Sequence, residues 1–385
     1  MRGLPSGLLS GLPSGLPSGL LRALPAIAGV GALAFTLAPT SAPTADEPAV
    51  PISRATPTKL MPLGDSNTVG GDAAGAAYRA DLWQLLRADG RPVDFVGSVN
   101  SGPAGVLGDR DHEGHGGWTI GQIQGSVTGW LTTYRPDVIT LQIGTNDMYD
   151  DASAGAAPGK LSTLLDTITA TLPGVKLFVA SIPQLADPNH YARVAAFNYT
   201  IPGIVAAKAA AGKQVRYVDA NSGLFQPYEF VDMWHPNYGA ASKAAIRWYG
   251  ALTGVPITRY EAEQTANATI TNAKRVQITS ASGGGKIGYI DYPDSSVTFT
   301  FQVGSTGTYR IRARGANGMG TVCSHQVSAN GGPPATVKYP SYSWDLLGES
   351  AVDLPLTAGS NTVKFTKGDC YTELDAIDVS VVPTA

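Results

Sequence analysis

The chain has 385 residues, of which 43% are hydrophobic and 15% charged, and its formal net charge is −3. This is the composition of a globular protein with room for two or three domains, and it excludes a disordered chain. The slightly acidic balance leaves no basic patch for nucleic acid or an anionic membrane surface.

Residues 1–45 do not read as folded protein. A Pro-Ser-Gly-Leu repeat runs from Ser6 to Leu20, Arg22 follows, and an apolar run from Ala23 to Ala38 leads into small residues at Ala42 and Ala45. A positive start, a short apolar stretch and a small-residue exit describe a secretory signal. The run is short for a membrane span, which needs about 20 apolar residues. A secreted, extracellular protein with no membrane attachment after cleavage is therefore expected. The repeat also allows a start codon further downstream. Residues 46–57 are rich in Pro and Thr and read as a tether.

From Thr58 to Val255 strand and helix patterns alternate. Strands are expected at Thr58–Leu63, Val93–Val96, Val138–Ile143, Lys176–Ser181 and Val215–Asp219. Helices are expected at Tyr78–Asp89, Ile120–Tyr134, Lys160–Leu172, Tyr191–Ala211 (with Pro202 marking a break or a fresh start) and Asn237–Leu252. Such alternation predicts a parallel sheet covered on both faces. After residues 256–259 the pattern changes to short alternating runs: Val297–Val303, Tyr309–Ala313, Val322–Val327, Ala351–Leu356, Thr362–Phe365 and Ala376–Val381. Residues 256–385 are expected to form an all-β sandwich close to the first domain, 58–255, because the junction is too short to be floppy. Cys323 and Cys370 are the two cysteines; in a secreted protein a disulfide is the first reading, and two buried thiols the alternative.

The first domain carries polar residues where its strands end. Ser66 follows the first strand in Gly64-Asp65-Ser66-Asn67, where a helix would begin. Asn146 follows the strand at 138–143, and Asp232 and His235 lie in Asp-Met-Trp-His-Pro-Asn after the strand at 215–219. Loops at the carboxyl ends of parallel strands converge on one edge. Together these residues supply an acyl-transfer site. Ser66 would be the nucleophile, His235 its general base and Asp232 the orienting acid. The N–H groups of Ser66 and Gly117 and the Asn146 amide would form the oxyanion hole. There is no Gly-x-Ser-x-Gly elbow, so the ordinary α/β-hydrolase arrangement is not expected. The dense polar run Asp109, Asp111, His112, Glu113 and His115 fits no metal-ligand spacing and reads better as a hydrogen-bonded loop shaping the cleft. Trp118 and Trp234 flank candidate residues and could either stack a sugar ring or pack in the core.

Four blocks occur in order: Gly-Asp-Ser-Asn, His-Gly-Gly-Trp, Gly-Thr-Asn-Asp and Asp-Met-Trp-His-Pro-Asn. They resemble the four blocks of the SGNH (GDSL) hydrolases. More narrowly, Met-Pro-Leu-Gly-Asp-Ser, Asp94-Phe95-Val96-Gly97-Ser98, Asp111–Ile120 and Pro136-Asp137-Val138 resemble carbohydrate esterase family three, the acetyl xylan esterases. The resemblance implies a three-layer α/β/α, flavodoxin-like fold and deacetylation of polysaccharide with no cofactor for catalysis. Asn67 and Gly116 depart from the family pattern and leave the fine substrate preference open.

In the second domain, Tyr260-Glu261-Ala262-Glu263, Gly288-Tyr289-Ile290-Asp291, Gly307-Thr308-Tyr309 and Leu374-Asp375-Ala376-Ile377 resemble carbohydrate-binding modules of families six and thirty-five. That resemblance implies a jelly roll with a structural calcium held by Glu261, Glu263 and Asp375. Trp344 stands where such modules present an aromatic ring to sugar, with Asn317 and Asn330 as weaker polar candidates; packing of Trp344 is the alternative. The expected protein is thus a secreted serine esterase acting on acetylated plant cell-wall polysaccharide, acetylxylan above all, and held on polysaccharide by its C-terminal domain. The rivals are a lipase, lysophospholipase or thioesterase of the same family, and a non-catalytic carbohydrate-binding protein.

Overall fold

The computed structural model describes residues 52, 56–71, 75–184 and 187–382. The expected signal at 1–45 and most of the tether at 46–57 lie outside the described residues. No helix among the described residues is long and apolar enough to cross a membrane.

The first part is built on strands β1 (Thr58–Gly64), β2 (Val93–Phe95), β3 (Val99–Asn100), β4 (Asp111–Gly114), β5 (Val138–Gln142), β6 (Lys176–Ala180) and β7 (Val215–Val218). Their order is β3-β4-β1-β5-β6-β7, with β2 also pairing β1. Every pairing is parallel except β3 with β4. All five residues of β5 are buried, as a strand covered on both faces requires. One face is covered by α3 (Ile120–Tyr134), α4 (Asp151–Thr171) and α5 (Tyr191–Ala210), which bury Ile123, Leu164 and Phe197 against Leu141 and Leu177. The other is covered by α2 (Arg79–Ala88) and α6 (Tyr238–Thr253), which bury Leu82, Leu85 and Trp248 against Leu60 and Phe178. This is the three-layer α/β/α arrangement expected.

Three details differ from the expectation. The polar run at 109–115 is no loop: Asp111–Gly114 forms β4, paired with β1 through Glu113 and Gly114. Helix α4 starts at Asp151, not Lys160, because the Asp150 carboxylate caps it by accepting the Ser153 N–H at 2.8 Å. Helix α5 continues through Pro202 without ending there.

The second part contains eleven strands, β8 (Thr258–Glu261), β9 (Ala268–Thr271), β10 (Lys274–Gln277), β11 (Gly285–Gly288), β12 (Ser296–Val303), β13 (Gly307–Ala316), β14 (Cys323–Ala329), β15 (Ala335–Tyr339), β16 (Leu347–Leu356), β17 (Gly359–Lys367) and β18 (Glu373–Val381). One sheet runs β10-β11-β18-β13-β16 with β8 on β18; the other runs β15-β14-β17-β12-β9. Phe299, Ile311, Val363 and Ile377 fill the space between them. The six runs expected from sequence are the long strands. The other five are short, at four or five residues each, and β8 falls on the Tyr260-Glu261 block. Cys323 and Cys370 are joined in a disulfide.

The two parts meet over a charged seam. Arg310, Arg312 and Arg314 alternate along β13, so their side chains share one face. Arg314 Nε donates to Asp81 Oδ1 at 3.0 Å, and Arg312 Nη2 donates to Asp89 Oδ1 at 2.6 Å. Both aspartates belong to α2 or its C-cap. The Arg312 and Arg314 guanidinium groups also lie over the Tyr249 and Tyr238 rings of α6, at 5.3 and 5.1 Å.

Candidate active site

Strand β1 ends at Gly64, and the chain turns at once into the short helix α1 (Ser66–Val69). A Cβ at Gly64 would collide with the Gln142 carbonyl, so this turn needs glycine. Asp65 caps α1 by accepting the Asn67 N–H at 2.9 Å. Ser66 is thereby held at the carboxyl edge of the sheet. Buried beside it, the Asp65 carboxyl is pushed up to about 6 by desolvation, against the pull of its bond from Asn67.

The loop between β7 and α6 brings the other two residues to the same edge. Asp232 Oδ1 accepts the N–H groups of Trp234 and His235 at 2.7 and 2.9 Å, which folds the loop into a tight turn. His235 Nδ1 lies 2.7 Å from Asp232 Oδ2, and His235 Nε2 lies 2.8 Å from Ser66 Oγ. The imidazole is therefore held between acid and hydroxyl. Partial burial raises the Asp232 carboxyl, but its bonds from His235 and the Trp234 N–H outweigh this and hold it below the ordinary aspartate range.

Ser66, Gly117, Asn146, Tyr149, Trp234 and His235 line one open cleft of about 290 Å³. One amide N–H of Asn146 is spent on the Trp118 carbonyl at 2.9 Å, and the second remains for the cleft. Gly117 sits at φ +78°, a conformation glycine adopts freely, which lets the backbone turn between β4 and α3. Asp147, buried, accepts the Ile120 N–H at 2.8 Å and so joins the Gly117 and Asn146 segments into one unit. The triad and oxyanion candidates expected from sequence are thus together at one edge.

Residues 63–240 match the model of the GDSL-like Lipase/Acylhydrolase family. That segment belongs to the GDSL-like acylhydrolases. A multidomain esterase of Ruminococcus flavefaciens is 32% identical over 222 residues, which is 51% of this chain and 28% of that protein. The chain thus spans little more than a quarter of that relative's length. Among solved structures, a family 3 carbohydrate esterase of Clostridium thermocellum is 40% identical, covering 50% of this chain and 94% of that one, with a TM-score of 0.46. A family 35 carbohydrate-binding module of Clostridium thermocellum is 28% identical, covering 32% of this chain and 98% of that one, with a TM-score of 0.31.

In the acylhydrolase domain two features escaped sequence reading. Tyr149 is 72% exposed, and its ring lies near-parallel to Trp234, centroids 6.3 Å apart. Asp147 was visible in the Gly-Thr-Asn-Asp block, but its contact with α3 was not. Both tryptophans pack against the core; Trp118 also stacks on His115 at 4.4 Å, whereas Trp234 also lines the cleft. The run Asp109–His115 is satisfied internally. Asp109 takes the Phe95 N–H, Glu113 takes Ser98 and His115, and His112 contacts Ser101.

In the β region Glu261, Glu263 and Asp375 offer carboxylate oxygens that all lie within 4.8 Å of one another. Glu263 Oε2 and Asp375 Oδ1 are buried and have no hydrogen-bond partner among the described residues. Desolvation and the neighbouring acids push Glu263 up to about 8 and Glu261 up to about 7. Arg314 pairs with the other Asp375 oxygen; a hard cation fits the remaining donors, since it would take the orphaned oxygens and relieve the repulsion between Glu261 and Glu263. The sugar candidates fare differently. Asn317 is buried, with its amide donating to Thr321 O and Tyr339 O, both at 2.8 Å, so it braces a turn and does not face outward. Asn330 likewise spends its side chain on Asn361 and Thr362. Trp344 is half-buried against Ala281, Ala316 and Leu347, with the Tyr371 ring 5.2 Å away.

Proposed function

We propose that this chain is a serine esterase that removes O-acetyl groups from plant cell-wall polysaccharide, acetylxylan above all. The observation that carries the reading is the continuous Ser66–His235–Asp232 chain in an open cleft. Ser66 Oγ attacks the ester carbonyl while His235 Nε2 takes its proton. The oxyanion that forms is met by the N–H groups of Ser66 and Gly117 and the free Asn146 N–H. Collapse returns the proton to the leaving sugar hydroxyl and leaves an acetyl-serine. Water, deprotonated by His235, then releases acetate and restores the enzyme. Asp232 fixes the imidazole tautomer and stabilises the imidazolium in both halves.

Two further features support the carbohydrate substrate. The motif blocks resemble family-three carbohydrate esterases, and the Tyr149–Trp234 pair gives the cleft an aromatic wall suited to a pyranose face. The C-terminal sandwich would anchor the enzyme on polysaccharide, with Trp344 and Tyr371 as contacts. Glu261, Glu263 and Asp375 would hold calcium, whose charge would neutralise the acids and brace the strands. Export through the N-terminal segment would place the enzyme outside the cell, where such polysaccharides lie.

Acetate release from acetylxylan tests the reading. Wild type should release acetate, and Ser66→Ala should lose activity on the order of 10⁴-fold or more in kcat while keeping its fold. A strong preference for octanoate over acetate in a 4-nitrophenyl ester series would instead favour a lipase.

A further inference from the structure

We propose that Glu229 is a positioning residue that ties the catalytic loop to a calcium site at Glu261, Glu263 and Asp375, so that the cation orders Asp232 and His235. The proposal rests on the reading of those two residues as catalytic.

Neither end of this connection is a surface feature. Glu229, in the loop between β7 and α6, is fully buried. Glu263 is 9% exposed and Asp375 fully buried, and each has a carboxylate oxygen without a partner among the described residues. Buried carboxylate oxygens are nearly always paired, so two unpaired ones on residues whose carboxylates converge within 4.8 Å point to a missing cation.

The link runs through the turn Ser282–Gly284. Ser282 Oγ donates to Glu261 Oε2 at 2.6 Å and lies 3.2 Å from Asp375 Oδ2. The next N–H, of Gly283, donates to Glu229 Oε1 at 3.3 Å. A side chain at Gly283 would strike Glu263 Oε1, so this backbone is pressed between the acidic site and Glu229. Close packing reinforces the joint: a Cβ on Gly284 would lie 3.3 Å from the Tyr228 ring, and one on Gly239 of α6 would strike the Ala281 carbonyl.

From Glu229 the connection enters the catalytic loop. Its Oε2 accepts the Gln226 N–H at 2.8 Å, its Oε1 pairs with Lys243, and its carbonyl accepts the Asn237 N–H at 2.8 Å. Asn237 is the N-cap of α6. Glu229 thus closes both ends of the segment that holds Asp232 and His235. The segment has little burial of its own: Val231 is 46% exposed and Met233 51%. Trp234 is its main apolar contact with the core, so the loop takes much of its order from its anchors. Asp375 is ion-paired with Arg314, but without the cation Glu261 and Glu263 stay crowded against it and against each other, the 282–284 turn loosens, and Glu229 loses its support on that side.

The test uses the full chain, stripped with EGTA and titrated with calcium chloride. Calcium binding is read by calorimetry, and amide hydrogen exchange is read over 226–237 and 280–284 without substrate. The expected result is slower exchange in both segments, about fivefold or more. On 4-nitrophenyl acetate kcat should rise about threefold or more with KM unchanged, because positioning and not substrate binding improves. Glu229→Ala should still bind calcium and protect 280–284, but 226–237 should no longer respond. Glu263→Gln should lose binding and both protections, and comparison of that variant with wild type decides the matter should Glu229→Ala not fold. Protection of 280–284 without 226–237 in wild type, or no calcium binding, would overturn the proposal. Because exchange is read without substrate, failure of the coupling is distinguishable from failure of the esterase reading.

Discussion

At the scale of single residues, the site rests on how each polar group is spent. Asn146 is the clearest case. Its amide has two N–H donors; the Trp118 carbonyl takes one at 2.9 Å and thereby aims the other into the cleft. In the proposed mechanism Asn146→Ala removes a donor aimed at charge that exists only in the transition state. It should lower kcat about 10²–10³-fold with little change in KM. Steady-state kinetics on 4-nitrophenyl acetate checks this, and an equal loss in KM alone would take Asn146 out of the oxyanion hole. Ser66 is legible in sequence because it sits just past β1, and Asp232 and His235 because they stand just before the periodic helix α6. Asn317 and Asn330 show the opposite case. An asparagine in a Gly-rich loop looks alike whether its amide faces a ligand or, as in both here, closes the turn.

Among the secondary-structure elements, what was legible followed from apolar periodicity, and what was missed lacked it. Helix α3 was read to its ends because Ile120, Ile123, Val127 and Leu131 mark one face. The first turns of α4 carry Ala, Gly and Ser, with Ala157 their first fully buried residue, so only the Asp150 cap announces the start. Strand β4 was hidden because a strand of Asp, His, Glu and Gly has no apolar signature. It is stable there because its charges are satisfied. Glu113 accepts the Ser98 N–H and hydroxyl at 2.7 and 2.6 Å and lies 2.6 Å from His115 Nε2. His115 in turn is stacked between Trp118 and Trp130, with ring centroids 4.4 and 4.7 Å away. This sandwich stands one residue from the Gly116–Gly117 turn. Glu113→Ala should cost about 1–3 kcal/mol by leaving buried donors unpaired. It should also lower kcat on small esters, since the Gly117 donor loses its bracing. Denaturant melts with kinetics on the same variant check both effects; a stability loss with unchanged kcat would confine Glu113 to a structural role.

On the scale of the whole molecule, the β region is joined to the acylhydrolase domain more intimately than a tethered binding module would be. The short junction after α6 predicted proximity, but sequence could not show that the arginines of β13 would choose aspartates on α2. That choice depends on side chains 233 and 223 positions apart in the chain. Arg312 and Asp89 are each 1% exposed, and Arg314 and Asp81 are both fully buried. Charges so buried tolerate loss of a partner poorly, at about 3–5 kcal/mol per broken pair. Removing residues 256–385 would strip every one of these partners at once and uncover the Tyr238 and Tyr249 rings, so the catalytic part is not expected to survive alone. The same seam makes unfolding of the two parts a single event. Scanning calorimetry of the intact protein should show one transition, and Arg312→Ala should move that transition down without dividing it. Two separate transitions in the wild type would mean that the seam contributes too little to couple the parts. In that case the sandwich would be free to act as an independent anchor, and the polysaccharide binding proposed for it would be separable from catalysis by deletion.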